Sequence, residues 1–165
     1  MRERPGGRRR ARELALALLV SADVGEKGPA KVFEMAADAL AALAEEWELG
    51  DGERLRILPE AAEYGHKLTE EYFRHAQEID GMIEELSEDW VLDRMAAIDR
   101  NILRMAITEL LHFPDVPVSA VINEAVELAK MYGTPESGRF VNGMLGALAR
   151  SRGLAAASGV VPTTE

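Results

Sequence analysis

Apolar residues between Pro117 and Leu148 recur at helical spacing in two runs that one short break separates. The first run predicts a helix that ends at Gly133, where we expect glycine to adopt the left-handed conformation that closes many helices. Thr134 is then expected to cap the second helix, with Pro135 at its first position. We call residues 133–140 the corner. The apolar positions are Val118, Val121, Ile122, Ala125, Leu128, Ala129 and Tyr132, then Val141, Met144, Leu145 and Leu148.

The same periodicity predicts helices in the rest of the chain. Residues 8–21 form a first helix, Pro29 opens a second, and Pro59 opens a third that runs to about Ile79. Asp93 is expected to cap a helix that is apolar over most of its circumference, which is typical of a central helix. Runs of alternating apolar residues are absent, while Ala, Leu and Glu abound. The pattern therefore predicts an all-α fold.

The chain has 165 residues, enough for one domain with a sizeable core. We expect residues 1–7 to be a flexible lead-in because they hold a proline and two glycines. Residues 8–152 should form one helical domain. Residues 153–165 lack an amphipathic pattern, so we expect a disordered tail.

The start of the chain allows a second interpretation. A basic segment, the apolar run 14–20 and the small residues Ser21 and Ala22 resemble a secretory signal. The run is at the short limit for such a signal and Glu13 precedes it, which favours a domain helix in the cytoplasm. No segment approaches the roughly 18 apolar residues of a membrane span, so we predict no membrane partner.

Charge refines this picture. The net charge is −10, and an acidic protein repels a phosphate backbone. Salt limits that repulsion to about 10 Å, however, so a local basic patch can still bind. Most acids lie between residues 34 and 99, whereas the arginines crowd the start, either as a phosphate-binding surface or as a solvated tail. They are Arg2, Arg4, Arg8, Arg9, Arg10 and Arg12.

Sequence motifs for catalysis are missing. His66, His75 and His112 stand at no metal-ligand spacing, and the chain has no cysteine. It also lacks a phosphate-binding loop and a nucleophile elbow. We therefore predict that the protein is not an enzyme, with no catalytic residue, no metal site and no cofactor.

Two features suggest contacts with nucleic acid. Arg8 and Arg12 are four residues apart and share a helix face, and guanidinium groups pair well with phosphate. Phe140 follows Arg139, and an exposed aromatic ring can stack on an unpaired base with about 1–3 kcal/mol. The alternative for Phe140 is a place in the core.

Several strings in this chain, taken in order, resemble the NusB family of transcription antitermination factors. The match is close at both ends and loose between residues 20 and 88. The strings are RRRARELALALL (8–19), IDRNILRMAITEL (98–110), DVPV (115–118), VINEAVELAK (121–130), YG (132–133) and ESGRFVNGML (136–145).

The resemblance implies a bundle of about seven helices in two packed subdomains. It also implies binding to the single-stranded boxA element of ribosomal RNA leaders together with NusE, a small-subunit ribosomal protein. The complex would then join the RNA polymerase antitermination complex. By resemblance, the residues facing RNA are Arg8, Arg9, Arg10, Arg12, Glu136, Arg139 and Phe140, and those facing NusE are Asp93 and Asp99.

Three alternatives stay open at this stage. The helical fold is shared with an RNA-binding accessory domain of ribosomal RNA methyltransferases, although we expect no cofactor-binding domain after residue 150. A helical protein-interaction module would show the same periodicity. Some relatives form homodimers that hide the basic face, and the sequence does not decide between monomer and homodimer.

Overall fold

The computed structural model describes residues 5–87 and 92–154, and within these ranges the chain forms helices and no strand. The predicted all-α fold is confirmed. The chain divides into two compact units, residues 1–73 (unit 1) and 74–165 (unit 2). The helices are α1 (Gly7–Val24), α2 (Pro29–Trp47), α3 (Asp51–Arg74), α4 (Ala76–Leu86), α5 (Ala97–His112), α6 (Val118–Tyr132) and α7 (Ser137–Ser151), with a 3-10 turn at Leu92–Arg94.

Unit 1 is built around the apolar face of α1. Leu14 and Leu18 pack against Val32 of α2, and Phe73 at the end of α3 closes the cluster. Burying each such leucine stabilises the unit by about 1.5–3 kcal/mol. The apolar run that resembled a secretory signal is therefore core of this unit.

Two glycines let α1 lie close against α3. A Cβ atom on Gly65 would lie 3.0 Å from the carbonyl oxygen of Ala11 and 3.0 Å from Leu14 Cδ2. One on Gly7 would lie 2.9 Å from Glu60 Cβ. The basic start of α1 is therefore held directly over one face of α3.

The prediction for α3 was wrong at both ends. The helix begins at Asp51 and continues through Pro59 as an interior residue, and it ends at Arg74 instead of Ile79. Proline removes one backbone donor, so it usually opens or ends a helix. Here Ile57 and Ala61, one turn apart, are both buried, and their packing keeps the helix continuous across the proline.

Helix α5 is the centre of unit 2, as its apolar circumference predicted, and it packs against α4, α6 and α7. Its start differs from the prediction: α5 begins at Ala97 with Ala96 as its N-cap, so Asp93 does not cap it. Asp93 lies instead in the preceding 3-10 turn and is exposed. Arg104 of α5 donates to both carboxylate oxygens of Asp80 of α4 at 2.9 and 3.1 Å. This two-pronged pair fixes the register of the two helices.

Candidate nucleic-acid and partner interface

Arg8 is an exposed cation at the start of α1. Its guanidinium carbon lies 4.0 Å from the centroid of the Tyr64 ring on α3. Its Nε lies 3.5 Å from a carboxylate oxygen of Glu60, and half of the Arg8 side chain, 52%, is exposed. Stacking on an aromatic ring limits the conformations of an arginine while leaving its outer face open to solvent. Arg8 is thus a positioned cation on the surface of unit 1.

Arg10 serves the fold. Its Nη1 donates to Glu13 at 2.7 Å, and the two side chains are only 12% and 2% exposed. Its guanidinium carbon also lies 4.8 Å from the centroid of the Trp47 ring. The ion pair lies within α1, and the Trp47 contact connects the start of α1 with the end of α2. Little of the Arg10 side chain is therefore exposed for contact with a phosphate.

Arg12 lies where the sequence did not lead us to expect it. The residue is 5% exposed and its guanidinium carbon lies 5.9 Å from the Tyr64 ring centroid. The predicted shared face of Arg8 and Arg12 is present, because both lie by Tyr64, but that face points inward at Arg12. Arg9 is partly exposed. The predicted four-arginine surface therefore reduces to Arg8 and Arg9 among the residues that the structure describes.

A groove beside Arg8 adds residues that sequence reasoning missed. It encloses about 400 Å³ and is lined by Arg8, Tyr64 and one face of α3. The face carries two further cations, and its spacing of four, three and four residues was a readable signal. Its residues are Arg56, Glu60, Glu63 and Lys67.

The corner in unit 2 closes by a different device from the one predicted. Gly133 has φ −96° and ψ −159°, an extended conformation open to any residue, so the expected left-handed glycine is absent. Glycine is required by space: a Cβ atom would lie 2.7 Å from the Ala129 carbonyl oxygen and 2.6 Å from Ser137 Cβ. The predicted cap by the Thr134 side chain is replaced by a hydrogen bond in the opposite sense. The Thr134 backbone N–H donates to Ser137 Oγ at 2.9 Å. Helix α7 then begins at Ser137, with Glu136 as its N-cap.

One cavity of about 290 Å³ brings together the residues assigned to the two predicted partners. Asp99, assigned to NusE by resemblance, lines it beside Glu136 and Phe140, assigned to RNA. The other residues that line it are Arg94, Met95, Ala96, Thr134 and Ser137. Arg139 is exposed and Asp93 is exposed, and neither lines this cavity.

The chemistry of this cavity is mixed. Phe140 and Met95 supply apolar surface, whereas the Oδ1 atom of Asp99 is buried and has no hydrogen-bond partner. A buried acceptor without a donor costs about 1–3 kcal/mol. Asp99 as a residue is partly exposed and lines the cavity, so the cavity suits a ligand that presents a flat apolar group together with a cation or an N–H donor.

Two histidines that the sequence kept apart meet in unit 2. The rings of His75 and His112 stack with 3.9 Å between centroids and 13° between planes. Within this unit they offer two nitrogen ligands, and structural zinc sites use four. Among the described residues of unit 2, the pair therefore supplies two of the four ligands that such a site needs.

In the part of the chain that the structure describes, no helix has the length and apolar character to cross a membrane.

Comparison with known proteins agrees with this architecture. The model of the NusB family matches residues 9–150. The transcription antitermination protein NusB of Desulforamulus reducens is 42% identical over 142 residues, which is 86% of this chain and 89% of that protein.

Solved structures give the same result. The structure of T. maritima NusB has a TM-score of 0.68 and 32% identity, covering 87% of this chain and 90% of its own. A crystal structure of antitermination factors NusB and NusE in complex with dsRNA has a TM-score of 0.69 and 28% identity, covering 87% and 96%. The family match over most of its length, with a relative at 42% identity, shows that the chain belongs to the NusB family of transcription antitermination proteins.

Proposed function

We propose that this protein binds single-stranded, boxA-type leader RNA of ribosomal RNA operons together with ribosomal protein NusE, and so promotes processive transcription by RNA polymerase in the cytoplasm. The observation that carries the proposal is the cavity of unit 2. Because Asp99 lines the same cavity as Glu136 and Phe140, the residue assigned to the protein partner adjoins those assigned to RNA. Two ligands that meet at one cavity can each stabilise the binding of the other.

An unpaired strand fits this cavity better than a duplex. The similar NusB–NusE complex contains dsRNA, but an A-form duplex keeps its base faces stacked and its major groove too narrow for side chains. Phe140 is partly buried at a cavity wall, so only a base that leaves its stack can reach the ring. Arg8 and Arg9 supply the phosphate contacts, since both have exposed surface.

The acids serve the protein partner. Ribosomal proteins are basic, and a carboxylate at the rim of an interface speeds the encounter with a cation. Asp93 is exposed in the 3-10 turn and suits that role. Asp99 is partly exposed and lines the cavity, so its carboxylate can pair with a basic side chain or a backbone N–H of NusE.

Fluorescence anisotropy with a boxA-type strand, a scrambled strand and the duplexed boxA-type strand tests the RNA part, each with and without NusE. Replacing Arg8 and Arg9 together by alanine should weaken binding and flatten the dependence of log K on log salt by about 0.7 for each phosphate that the variant no longer neutralises. Lys31→Ala is the control, since Lys31 is exposed in α2 and pairs only weakly with Glu34 at 3.8 Å. Equal affinity for the boxA-type and scrambled strands in the presence of NusE would contradict the proposal.

A pull-down with NusE tests the partner part. Asp99→Lys should abolish most capture, because it reverses the charge that faces the cavity, while Asp115→Lys should not. Asp115 is a matched control, since it is exposed in the loop between α5 and α6 and does not line the cavity. Equal capture by both variants, with unchanged helicity, would remove Asp99 from the interface.

A further inference from the structure

The groove of unit 1 beside α3 contains charged residues to which, apart from Arg8, the proposed function assigns no role. It holds about 400 Å³ between Arg8 and a charged face of α3. That face repeats at the helical period, so Arg56 and Lys67 stand at its two ends with Glu60 and Glu63 between them. Arg8, Arg56 and Lys67 are positively charged. Glu60 and Glu63 are negatively charged.

Both carboxylates in the groove have a cation beside them. Glu60 lies 3.5 Å from Nε of Arg8, and Glu63 accepts a hydrogen bond from Lys67 at 3.2 Å. Three cations against two carboxylates leave the groove with a net positive charge, in a chain whose total charge is −10. Positive potential confined to a concave surface attracts an anionic ligand even when the whole molecule is acidic.

Tyr64 holds the near wall of this groove in place. The residue is 8% exposed and its ring supports the Arg8 guanidinium at 4.0 Å. The close approaches at Gly7 and Gly65 fix α1 on α3 at this level. The position of Arg8 relative to Arg56 and Lys67 is therefore set by the packing of unit 1.

We propose that this groove is a second phosphate-binding site for the RNA strand, in which Arg56 and Lys67 of α3 continue the surface that Arg8 begins. The inference rests on the proposed function and extends it, because it adds α3 to the RNA contacts. Arg56 and Lys67 are eleven positions apart on the helix, a rise of about 16 Å. That length accommodates at least two phosphates at the roughly 3.4 Å spacing of a stacked strand.

The test compares two charge-reversed double variants of the full chain. Arg56→Glu with Lys67→Glu changes the groove. Arg54→Glu with Lys31→Glu makes the same change in net charge at exposed positions of unit 1 outside the groove, one of them on the same helix. The probes are a short boxA-type RNA strand and the same strand extended by several nucleotides on each side, measured by anisotropy over a range of salt.

The groove variant should bind the extended strand about tenfold more weakly than the control variant and show a salt slope shallower by about 0.7–1.4, the value for one or two phosphates that are no longer neutralised. Equal affinity and equal slope for the two variants would overturn the inference. So would a groove variant that fails to capture NusE but keeps its RNA affinity, because the groove would then be a protein-binding surface.

Failure of this inference is distinguishable from failure of the proposed function. If the groove is wrong but the function holds, the variant lacking Arg8 and Arg9 still binds the boxA-type strand more weakly. Tyr64→Leu and Tyr64→Phe add a check on Arg8. The leucine variant should flatten the salt slope and the phenylalanine variant should restore it, whereas a merely structural tyrosine would leave the slope unchanged in both.

Discussion

The basic start of α1 in unit 1 and the cavity at the corner of unit 2 differ in how their charged groups are paired. In unit 1 the arginines already have partners: Arg10 is paired with Glu13 and covered by Trp47, and Arg8 rests on Tyr64. In unit 2 a carboxylate oxygen of Asp99 is buried with no partner beside the apolar wall of Phe140. Under the proposed function, the first region binds phosphate through its exposed guanidinium surface, whereas the carboxylate of the second pairs with a donor that the partner supplies.

This difference also indicates which residues support folding and which are available for binding. At the start of α1, two arginines have different roles. Arg10 is covered and supports the fold, whereas Arg8 is exposed. At the corner, Gly133 and Ser137 hold the backbone, while Glu136 is exposed and Phe140 is partly buried in the cavity wall. We therefore expect substitutions of the covered or backbone-supporting residues to lower the free energy of unfolding more than substitutions of the exposed residues do.

Arg10→Ala is expected to give the largest drop in stability, about 3 kcal/mol or more, because it removes the arginine from a pair whose carboxylate stays buried. The variant also leaves the Trp47 ring without its guanidinium neighbour. Urea unfolding followed by circular dichroism measures the drop. Arg10→Lys keeps the charge without the planar fork and should recover part of it. A drop below about 1 kcal/mol for Arg10→Ala would mean that the pair is not a support of unit 1.

Gly133→Ala should destabilise unit 2 by about 1–3 kcal/mol, the usual cost of an overpacked site. The added methyl group would meet the Ala129 carbonyl oxygen, which is backbone and cannot move aside. Gly143→Ala is the control in α7, where a Cβ atom meets nothing within 4 Å. It should stabilise the protein by about 0.5–1 kcal/mol, since alanine is the better helix former. Equal effects of the two changes would refute the close approach at the corner.

Ser137→Ala should cost about 1 kcal/mol, because the Thr134 backbone N–H loses the acceptor that closes the corner. Thermal unfolding of this variant is compared with that of Ser119→Ala, a serine in the first turn of α6 for which we expect little change. An equal change in melting temperature for the two variants would show that Ser137 does not hold the corner closed.

Arg8→Ala should change stability least, by no more than about 1 kcal/mol, since its ion pair with Glu60 is half exposed and screened by salt. The same urea titration measures it beside Arg10→Ala, which makes the pair a direct test of the comparison. Comparable decreases at Arg8 and Arg10 would show that both arginines support the fold and that neither is reserved for a ligand.

The helical content and the central helix could be predicted because they depend on local periodicity. The apolar circumference of α5 indicated its central place, and the two runs on either side of the corner indicated α6 and α7. The prediction failed where a local rule had a competitor. Pro59 is a helix breaker by its own chemistry, but the burial of Ile57 and Ala61 outweighs it.

Family membership could likewise be predicted from short strings, and the match to the NusB family over residues 9–150 confirms it. The sequence was sufficient to propose individual site residues but not to distinguish the exposed ones from the buried ones. Nothing local distinguishes Arg8 from Arg10 or Arg12, since all three stand in one basic run. The groove residues Arg56 and Lys67 were also missed, although their helical spacing with Glu60 and Glu63 was present in the chain.

The order of residues determined which segments form helices and which faces of those helices are apolar, because both follow from interactions a few residues apart. Only the tertiary structure decided which arginines are covered, why Gly133 must be glycine and which acid lines a cavity with Phe140. Each of those properties depends on a side chain or carbonyl brought in from a different part of the chain. The exposure of a charge and the space beside a backbone atom are set by such neighbours, which helical periodicity does not specify.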